Sequence, residues 1–473
     1  MIGLRITDGT TTIDLQASPW FVLEYSPKTG RLGELVTDSI KVGYGRDSNA
    51  QVTNARAALN SITRLLAKSN PFDNGRFQRS VWLEFSIDYA LTGSTEPYWR
   101  SPIVDSVMPS GEDALLDTDL WNKTIVYTLE VTRQGWFEGV ETELALATRV
   151  NAKVTGGVTI YNADYATTDG NFVVIAGADI SGELDAPCRL EIGNTVEASG
   201  SINQIHYGAI RGYGGNGAGW GSNPVTLKCH DATSANFSVT GSTTVSAGVS
   251  RTWTGLTGSA PNILCEWLLP TDYLEQFDGR TVKPILRLIS GGNAGLQFRL
   301  RLMYGGAALP GIMELLDRGW SDYIVNGVAQ LSLPMNSVEV PPWLRGEMGA
   351  SFNMSPISAR LEGRYTPGGS WSALVLGDLQ MTPAQDGFRS WTTRGYAAGI
   401  GWQFWDDGIN ETAYTRDGGD YRVGTYQLSG KRIKLRPNIE NRIWFAHSLT
   451  NATVAKDRRL ALKMFYRPRR TTL

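Results

Sequence analysis

The sequence predicts a mainly β protein: a small N-terminal β-barrel or sheet with one α-helix, followed by two β-sandwich domains of the jelly-roll kind. Apolar and polar residues alternate at period two in many short segments, such as 81–87 and 123–131, which is typical of half-buried strands. A helical apolar stripe occurs in the segment 53–69. The 53 Gly and 15 Trp suit short strands joined by tight turns. A chain of 473 residues exceeds one core, so we expect several domains.

Residues 1–150 are the first predicted domain. Strands are predicted on both sides of the helix, near residues 3–6, 11–15, 21–25, 35–42, 80–88, 99–108 and 123–132. Thr53 or Asn54 can cap the helix, and Pro71 ends it. The helical stripe consists of Ala58, Ile62, Leu65 and Leu66. A mixed sheet or small barrel that carries one helix is the simplest fold for this pattern.

Small and polar residues near 151–157 indicate a domain boundary, and short strands follow at regular spacing to the end of the chain. They are too numerous for one sandwich. The segment 382–387 reads as a connector, which divides them into a sandwich over 151–386 and a second one over 387–473. Alternatively, residues 154–186 and 387–473 together form the last sandwich, with 187–386 inserted between them.

Composition excludes some functional classes. The net charge of −2 argues against a globally basic nucleic-acid binder. The chain has no apolar window near the roughly 18 residues of a membrane helix, and its opening residues lack a signal-peptide pattern. Cys188, Cys229 and Cys265 lie far apart without a CxxC pair, so buried free thiols are expected. These features together predict a soluble protein that folds in a reducing cytoplasm.

The sequence offers little for catalysis, and we expect no enzyme, no catalytic residue, no metal and no cofactor. Metalloprotease, nucleophile-elbow and P-loop strings are absent from the sequence. Residues 212–217 match GxGxxG, but the Gly-rich residues after them cannot form the required helix, which leaves a flexible loop. His206 and the pair Cys229–His230 lack the spacing of a metal site, and Asp117 and Asp119 lack the rest of a calcium loop.

Two alternatives remain open from the residues alone. The first is glycoside hydrolysis, which needs only two suitably separated carboxylates, such as Asp406 with Asp407, or Glu266. The second is sugar binding through aromatic rings, although Trp also fills sandwich cores. The possible glycan contacts are Trp220, Trp371, Trp391 and Trp405.

Charge is unevenly distributed. Acidic residues gather between Asp105 and Asp119, whereas the last 18 residues carry seven basic residues against Asp457. Opposite patches of this kind can guide neighbouring subunits into register, so we interpret them as contacts of a closed oligomer.

The first third of the chain resembles distal tail proteins and related minor tail proteins of long-tailed bacteriophages. The resemblance lies in LRITDGTTTIDL at 4–15, in the helix 55–67, in YWRSPI at 98–103 and in LEVTRQGWFEG at 129–139. The remainder resembles the β-sandwich extensions of such proteins at residues 180–187, 376–383 and 465–469. The resemblance implies an N-terminal barrel that forms a ring, commonly a hexamer, between tail tube and tail tip. It also implies C-terminal jelly rolls similar to carbohydrate-binding modules.

The expected function is therefore that of a structural virion protein of a phage tail, assembled in the host cytoplasm. The expected partners are copies of the chain itself, the tail tube protein and tail-tip, hub or baseplate proteins. The outward sandwiches would brace the ring or contact host polysaccharide, and neither nucleic-acid binding nor membrane insertion is expected. The alternatives are a carbohydrate-binding adhesin that recognises the receptor and, after it, a glycan hydrolase.

Overall fold

The structure is a computed structural model, and it describes a defined part of the chain. The described residues are 3–31, 33–45, 50–69, 81–86, 98–107, 118–119, 124–148, 152–161, 172–194, 202–211, 226–229, 232, 239–240, 251–253, 260–269, 279–291, 294–304, 313–317, 319–322, 331–339, 357–366, 373–393, 401–417, 420–422, 426–449 and 459–471. Within them the protein is mainly β with several antiparallel sheets, which confirms the predicted fold class. The chain divides into two compact units.

Unit 1 comprises residues 1–142 together with the short segments 181–186 and 467–473. Its strands are β1 (Gly3–Thr7), β2 (Thr12–Asp14), β3 (Trp20–Tyr25), β4 (Leu35–Gly45), β5 (Val81–Ser86), β6 (Trp99–Val107), β7 (Thr118–Asp119), β8 (Thr124–Gln134) and β9 (Phe137–Glu138), and its helix is α1 (Ala50–Ala67). Strand β10 (Thr142–Glu143) lies where the two units divide. The segments 181–186 and 467–473 reach this unit from far along the sequence, which no local pattern indicates.

The strands of unit 1 form one sheet in the order β2-β1-β5-β6-β8-β4-β3, with β9 also pairing to β6. Every strand pairing in the described part of this sheet is antiparallel, so the mixed sheet considered from the sequence is wrong. Short links account for the pairs β1/β2 and β3/β4, whereas β1/β5 and β4/β8 join segments that lie far apart in the chain. The longest pairing is that of β4 with β8, which runs from Leu35 opposite Gln134 to Gly45 opposite Thr124.

Helix α1 covers one side of this sheet. Its apolar face packs in one core with sheet residues such as Leu4, Ile40, Leu83 and Leu129. The buried helical residues are Ala55, Leu59, Ile62, Leu65 and Leu66, with Ala58 partly buried beside them. The predicted stripe is thus present. The predicted cap is wrong, because the helix already includes Ala50 and places Thr53 and Asn54 inside it.

A buried ion pair ties β4 to β8 in the same unit. Arg133 Nε donates to Asp38 Oδ2 at 2.6 Å, and neither side chain is exposed. The Asp38 carboxylate also accepts from the Tyr25 hydroxyl and from the backbone N–H of Lys28. Burial, followed by the nearby Asp38 charge, raises the pKa of Tyr25. The network satisfies two charges that would otherwise be costly to bury.

Unit 2 comprises residues 143–180 and 187–466. Its strands are β11 (Val158–Tyr161), β12 (Phe172–Ile175), β13 (Ala186–Asn194), β14 (Ile202–Arg211), β15 (Thr226–Lys228), β16 (Val239–Thr240), β17 (Arg251–Trp253), β18 (Asn262–Leu268), β19 (Thr281–Ser290), β20 (Leu296–Tyr304), β21 (Met313–Asp317), β22 (Leu331–Pro334), β23 (Val338–Glu339), β24 (Ile357–Tyr365), β25 (Leu374–Pro383), β26 (Phe388–Thr393), β27 (Gln403–Asp407), β28 (Thr412–Asp417), β29 (Asp420–Arg422), β30 (Tyr426–Lys431), β31 (Lys434–Leu435), β32 (Asn441–Leu449) and β33 (Arg459–Tyr466). A single 3-10 turn covers Gly177–Asp179, and the last strand of the chain, β34 (Arg469–Arg470), belongs to unit 1.

The described strands of unit 2 form four sheets. Sheet A runs β33-β13-β27-β28-β29, with β11 and β31 beside it, and sheet B runs β12-β32-β14-β26-β30. Sheet C runs β16-β17-β25-β19-β22, with β15 and β23 beside it, and sheet D runs β18-β24-β20-β21. Strands of sheets C and D fall between β14 and β26 in the chain, so the segment 226–383 forms two sheets of its own.

Side-chain contacts place the four sheets in layers. Tyr207 of sheet B bonds Asp406 of sheet A, and the ring of Trp391 lies against Phe404 in the same way. On the opposite face of β14, the His206 ring bonds the Ser332 carbonyl of sheet C. Sheets C and D share an apolar core that also takes in Phe172 and Trp444 of sheet B. Alternate residues of β14 therefore serve two different interfaces, as the period-two geometry of a strand requires.

Candidate functional site

The carboxylate candidates for hydrolysis lie in structural positions. Asp406 is buried, and its oxygens accept hydrogen bonds from Arg389 at 2.9 and 3.1 Å, from Arg432 at 3.1 Å and from the Tyr207 hydroxyl. Burial, followed by the Asp406 charge, raises the pKa of Tyr207 well above its usual value, so the hydroxyl remains a donor. Both oxygens of Asp406 are thus engaged in joining sheet A to sheet B.

The other two carboxylates are also engaged. Asp407 accepts from the backbone N–H groups of Ile409 and Asn410 at 2.9 and 3.0 Å, which makes it the turn former between β27 and β28. Glu266 is buried on β18 and is bonded by Ser358 and by Arg360, whose Nε lies 3.0 Å away. These arrangements stabilise turns and strand pairs of unit 2.

The histidines within the described residues, His206 and His447, are buried. His206 Nδ1 lies 2.8 Å from Ser390 Oγ, its Nε2 lies 3.1 Å from the Ser332 carbonyl, and its ring stacks on Phe388. Burial lowers the pKa of His206 to about 4, so the ring is neutral at neutral pH. His230, the glycines of 212–217 and Asp117 lie outside the described residues. The side chain of Asp119 is likewise not described.

We predict that His206 makes unit 2 sensitive to mild acid. Its folded pKa of about 4 lies below the ordinary 6.5, so between these pH values the unfolded chain binds a proton that the folded chain excludes. This difference removes about 3 kcal/mol of stability as the pH falls from 7 to 4. Below that range both states are protonated and the loss levels off.

Urea unfolding at several pH values checks this prediction by comparison of the wild type with His206→Gln, which cannot titrate. The free-energy difference between the two proteins should shift by about 3 kcal/mol over that pH range. Parallel pH profiles would show that His206 does not carry the effect.

Of the four candidate tryptophans, the structure describes Trp391 and Trp405, and their surroundings differ. Trp391 is 1% exposed, because its ring fills the space between sheets A and B and contacts Phe404 and Tyr426. A sugar cannot reach this ring. Trp220 and Trp371 lie outside the described residues.

Trp405 is partly exposed on the outward face of sheet A. The register places Lys463, Glu191, Trp405 and Tyr414 in one row across four strands. The Trp405 and Tyr414 rings are stacked at 5.4 Å with an interplanar angle of 21°. Arg189 lies over Trp405 at 5.0 Å. The row is an aromatic platform with charged and amide groups around it, and we call it the Trp405 platform.

The basic residues at the C terminus form a network inside unit 1. Glu138 of β9 is 1% exposed and accepts from Arg100 at 2.7 and 2.9 Å and from Arg469 at 3.4 Å, with Arg467 at 3.9 Å. Arg470 lies over the Trp99 ring at 3.6 Å. Arg467, Arg469 and Arg470, which we interpreted as part of a patch for neighbouring subunits, are thus engaged within unit 1. They secure β34 against β9.

Opposite the helix, the sheet of unit 1 exposes its other face. Strand β4 alternates exposed and buried residues, and β8 does the same from residue 127 onward. Two large apolar side chains are among the outward residues: Leu35 is 49% exposed and Val107 is 61% exposed. Between them the Thr37 and Thr132 hydroxyls are bonded at 2.9 Å. We define the open face as Leu35, Thr37, Ser39, Lys41, Asp105, Val107, Thr128, Glu130 and Thr132.

The open face continues to the sheet edge at β3. Leu23 is exposed there, at a bulge in the pairing of β3 with β4. The Phe21 ring packs directly against Gly43, where there is no room for a side chain, since a Cβ at Gly43 would lie 2.4 Å from that ring. A sheet face that exposes two large apolar side chains next to an edge strand is the kind of surface that proteins cover by association.

Two further observations concern ligands and membranes. Among the described residues, no group of three or more His, Cys, Asp or Glu side chains could hold a metal ion. In the same part of the chain, no helix has the length and apolar character needed to cross a bilayer.

Comparisons with known proteins give little. No protein-family model matches the chain, and no curated protein matches it. One similar solved structure is SPP1 Dit, described as a paradigm of the hub adsorption apparatus in phages infecting Gram-positive bacteria. It covers 99% of both chains at 7% identity and a TM-score of 0.29. Infectious bursal disease virus, Gx strain, covers 70% of this chain and 79% of its own at 10% identity and a TM-score of 0.18. The structure of T=1 particles derived from infectious bursal virus covers 69% of this chain and 77% of its own, at 10% identity and a TM-score of 0.16. At such TM-scores the likeness does not establish a shared fold.

Proposed function

We propose that this protein is a structural component of a bacteriophage tail. Unit 1 forms a homo-oligomeric ring, a hexamer, at the distal end of the tail tube. The ring joins the tube protein to the tail tip or baseplate, and unit 2 braces it or contacts the host surface. The resemblance of residues 4–15, 55–67, 98–103 and 129–139 to distal tail proteins supports this assignment. The observation that carries it is the open face.

The open face suits contact with a second copy of the chain. Leu35 and Val107 would be desolvated in an interface, and the hydroxyls between them already bond within the sheet, so covering them leaves few unsatisfied groups. Lys41 and Glu130 add charges of both signs. A ring needs a heterologous contact, in which the open face of one copy meets a different surface of the next.

We predict that charging the open face disrupts the ring. Leu35→Lys and Val107→Lys each force a charge into the interface, and association should weaken at least about 100-fold. Lys at position 107 lies opposite Glu130, so the fold itself tolerates it. Native mass spectrometry and negative-stain electron microscopy of the purified chain measure the oligomer.

Leu268→Lys is the matched control, since Leu268 is 51% exposed in unit 2 and its change should leave the ring intact. Wild-type protein that remains monomeric at high concentration would overturn the proposal. Charged variants that still form rings would show that the open face is not the contact between subunits.

A second function, carbohydrate binding, is favoured by the Trp405 platform. Sugars stack their apolar faces on aromatic rings, and neighbouring polar groups then bond the hydroxyls. Gln403, which accepts a bond from Trp405 Nε1, and Glu191 stand next to the ring. In this alternative the protein is an adhesin that recognises host polysaccharide through unit 2.

We predict that Trp405→Ala weakens binding to envelope polysaccharide about 10- to 100-fold, as loss of one stacking ring does. A glycan array followed by calorimetry on the full chain measures this. Trp320→Ala is the control, because the guanidinium groups of Arg299 and Arg364 both lie against that ring, at 4.6 and 4.3 Å, whereas Arg189 lies farther from Trp405, at 5.0 Å. If the wild type did not bind polysaccharide, or if both variants lost the same amount of affinity, the Trp405 platform would not be the sugar-binding site.

A further inference from the structure

Two of the three cysteines meet in the core between sheets C and D. Cys229 follows β15, where its backbone N–H donates to the Gly377 carbonyl of β25 in sheet C. Cys265 lies on β18 in sheet D. Both are fully buried in one apolar cluster, which also contains Trp253. The pair therefore joins the two layers of the 226–383 segment.

The Cys265 thiol contacts Cys229 directly. The Cys265 thiol donates to the Cys229 carbonyl oxygen with a sulfur-to-oxygen distance of 4.0 Å. Burial and then a side-chain hydrogen bond with Cys265 raise the pKa of the Cys229 thiol well above its usual value. The two residues thus meet where sheets C and D face each other, and an inter-sheet disulfide would bring their Cβ atoms to about 4 Å.

Cys188 has different surroundings. Its thiol donates to the Ile433 carbonyl oxygen at 3.4 Å, and the charges that raise its pKa beyond the effect of burial are Asp406 and Asp407. It is as buried as the other two. Cys188 is therefore an internal reference for a buried thiol without a thiol partner.

We propose that Cys229 and Cys265 are a latent redox pair that closes into an inter-sheet disulfide when the folded protein meets a small peroxide. One cysteine thiol gives up its proton as its sulfur attacks a peroxide oxygen and becomes a sulfenic acid, while the other peroxide oxygen takes up that proton and leaves as water. The second thiol attacks the sulfenic sulfur, forms the S–S bond and releases a second water. Two thiols and one hydrogen peroxide give one disulfide and two waters.

The bond would fasten the 226–383 segment after it has folded. While reduced, the Cys229 thiol stays protonated in the apolar core because its pKa is raised, which makes its reaction with a small oxidant slow. Once formed, the disulfide closes the chain between residues 229 and 265 and restricts the unfolded state. The proposal needs only the folded chain, so it does not depend on the proposed role in a tail.

The experiment treats the full-length native protein with hydrogen peroxide, then unfolds it in iodoacetamide and maps its peptides by mass spectrometry. We expect a loss of about 2 Da from an intramolecular Cys229–Cys265 link, with Cys188 recovered as the alkylated thiol. The melting temperature of the oxidised protein should rise by about 5 °C or more and return after dithiothreitol.

Two variants complete the test. Cys188→Ala should form the same link, and Cys265→Ala should form none and show no peroxide-dependent rise in melting temperature. The wild-type map does not depend on whether the variants fold. No link after prolonged exposure, equal oxidation of all three cysteines, or links only between chains would each overturn the proposal.

Discussion

Replacing Glu138 by alanine should destabilise unit 1 by about 3–5 kcal/mol, the usual cost of removing one member of a buried charge network. Glu138 is 1% exposed and is the carboxylate that Arg100, Arg467 and Arg469 share. Without it, three guanidinium groups face one another in a region already largely withdrawn from water. Arg469 also pairs with Glu138 through the backbone, so the C-terminal strand should loosen.

Urea unfolding of the full chain measures the loss, and hydrogen exchange of the peptide containing 467–471 reports on release of β34. Glu141→Ala is the matched control: Glu141 lies 3.9 Å from Arg467 and is 23% exposed, so its removal should cost less than about 1 kcal/mol. Equal effects of the two changes would mean that burial of Glu138 is not what gives the network its strength.

Replacing Asp406 by asparagine should destabilise unit 2 by about 3 kcal/mol, because Arg389 and Arg432 lose their anion while they remain inside the sandwich. Asparagine keeps the size of the side chain and one acceptor oxygen, so the loss reports the charge and not a cavity. Tyr207 also loses its charged acceptor.

Asp407→Asn provides the contrast from the next residue. Both backbone bonds end on Oδ1, which asparagine retains, and only the bond from Asn410 Nδ2 to Oδ2 is lost, so the cost should stay near 1 kcal/mol. Differential scanning calorimetry or urea unfolding separates the two variants. If Asp406→Asn were as stable as the wild type but abolished a measurable release of reducing sugar from host envelope, Asp406 would act in catalysis and not in structure.

Local periodicity predicted the secondary structure of unit 1 well. The apolar stripe of α1 and the alternation of β4 and β8 depend only on residues close together in the sequence. The structure contains both features. The start of the helix was harder to predict, because Thr53 and Asn54 are good caps that local sequence cannot exclude from a helix interior. The strand pairings of unit 1 in the described part of the chain are antiparallel, which no single strand reveals.

The candidate sites were predicted less well, and the two strand tryptophans show why. Trp391 and Trp405 both lie in aromatic strand segments, yet one ring fills a core and the other faces outward. Alternation defines two faces of a strand without saying which face another sheet covers. The network around Glu138 was also missed, since its partners lie 38 and 331 residues away in the sequence.

The sequence by itself determined that this protein is mainly β, where its one described helix lies, and which strand residues alternate. These follow from interactions between residues a few positions apart. Only the tertiary structure decided that β34 returns to β9, that Asp406 joins two sheets, that Cys229 meets Cys265 and that one face of the unit 1 sheet stays open. Each of these depends on which distant surfaces exclude water from one another, and that information is carried by no short stretch of chain.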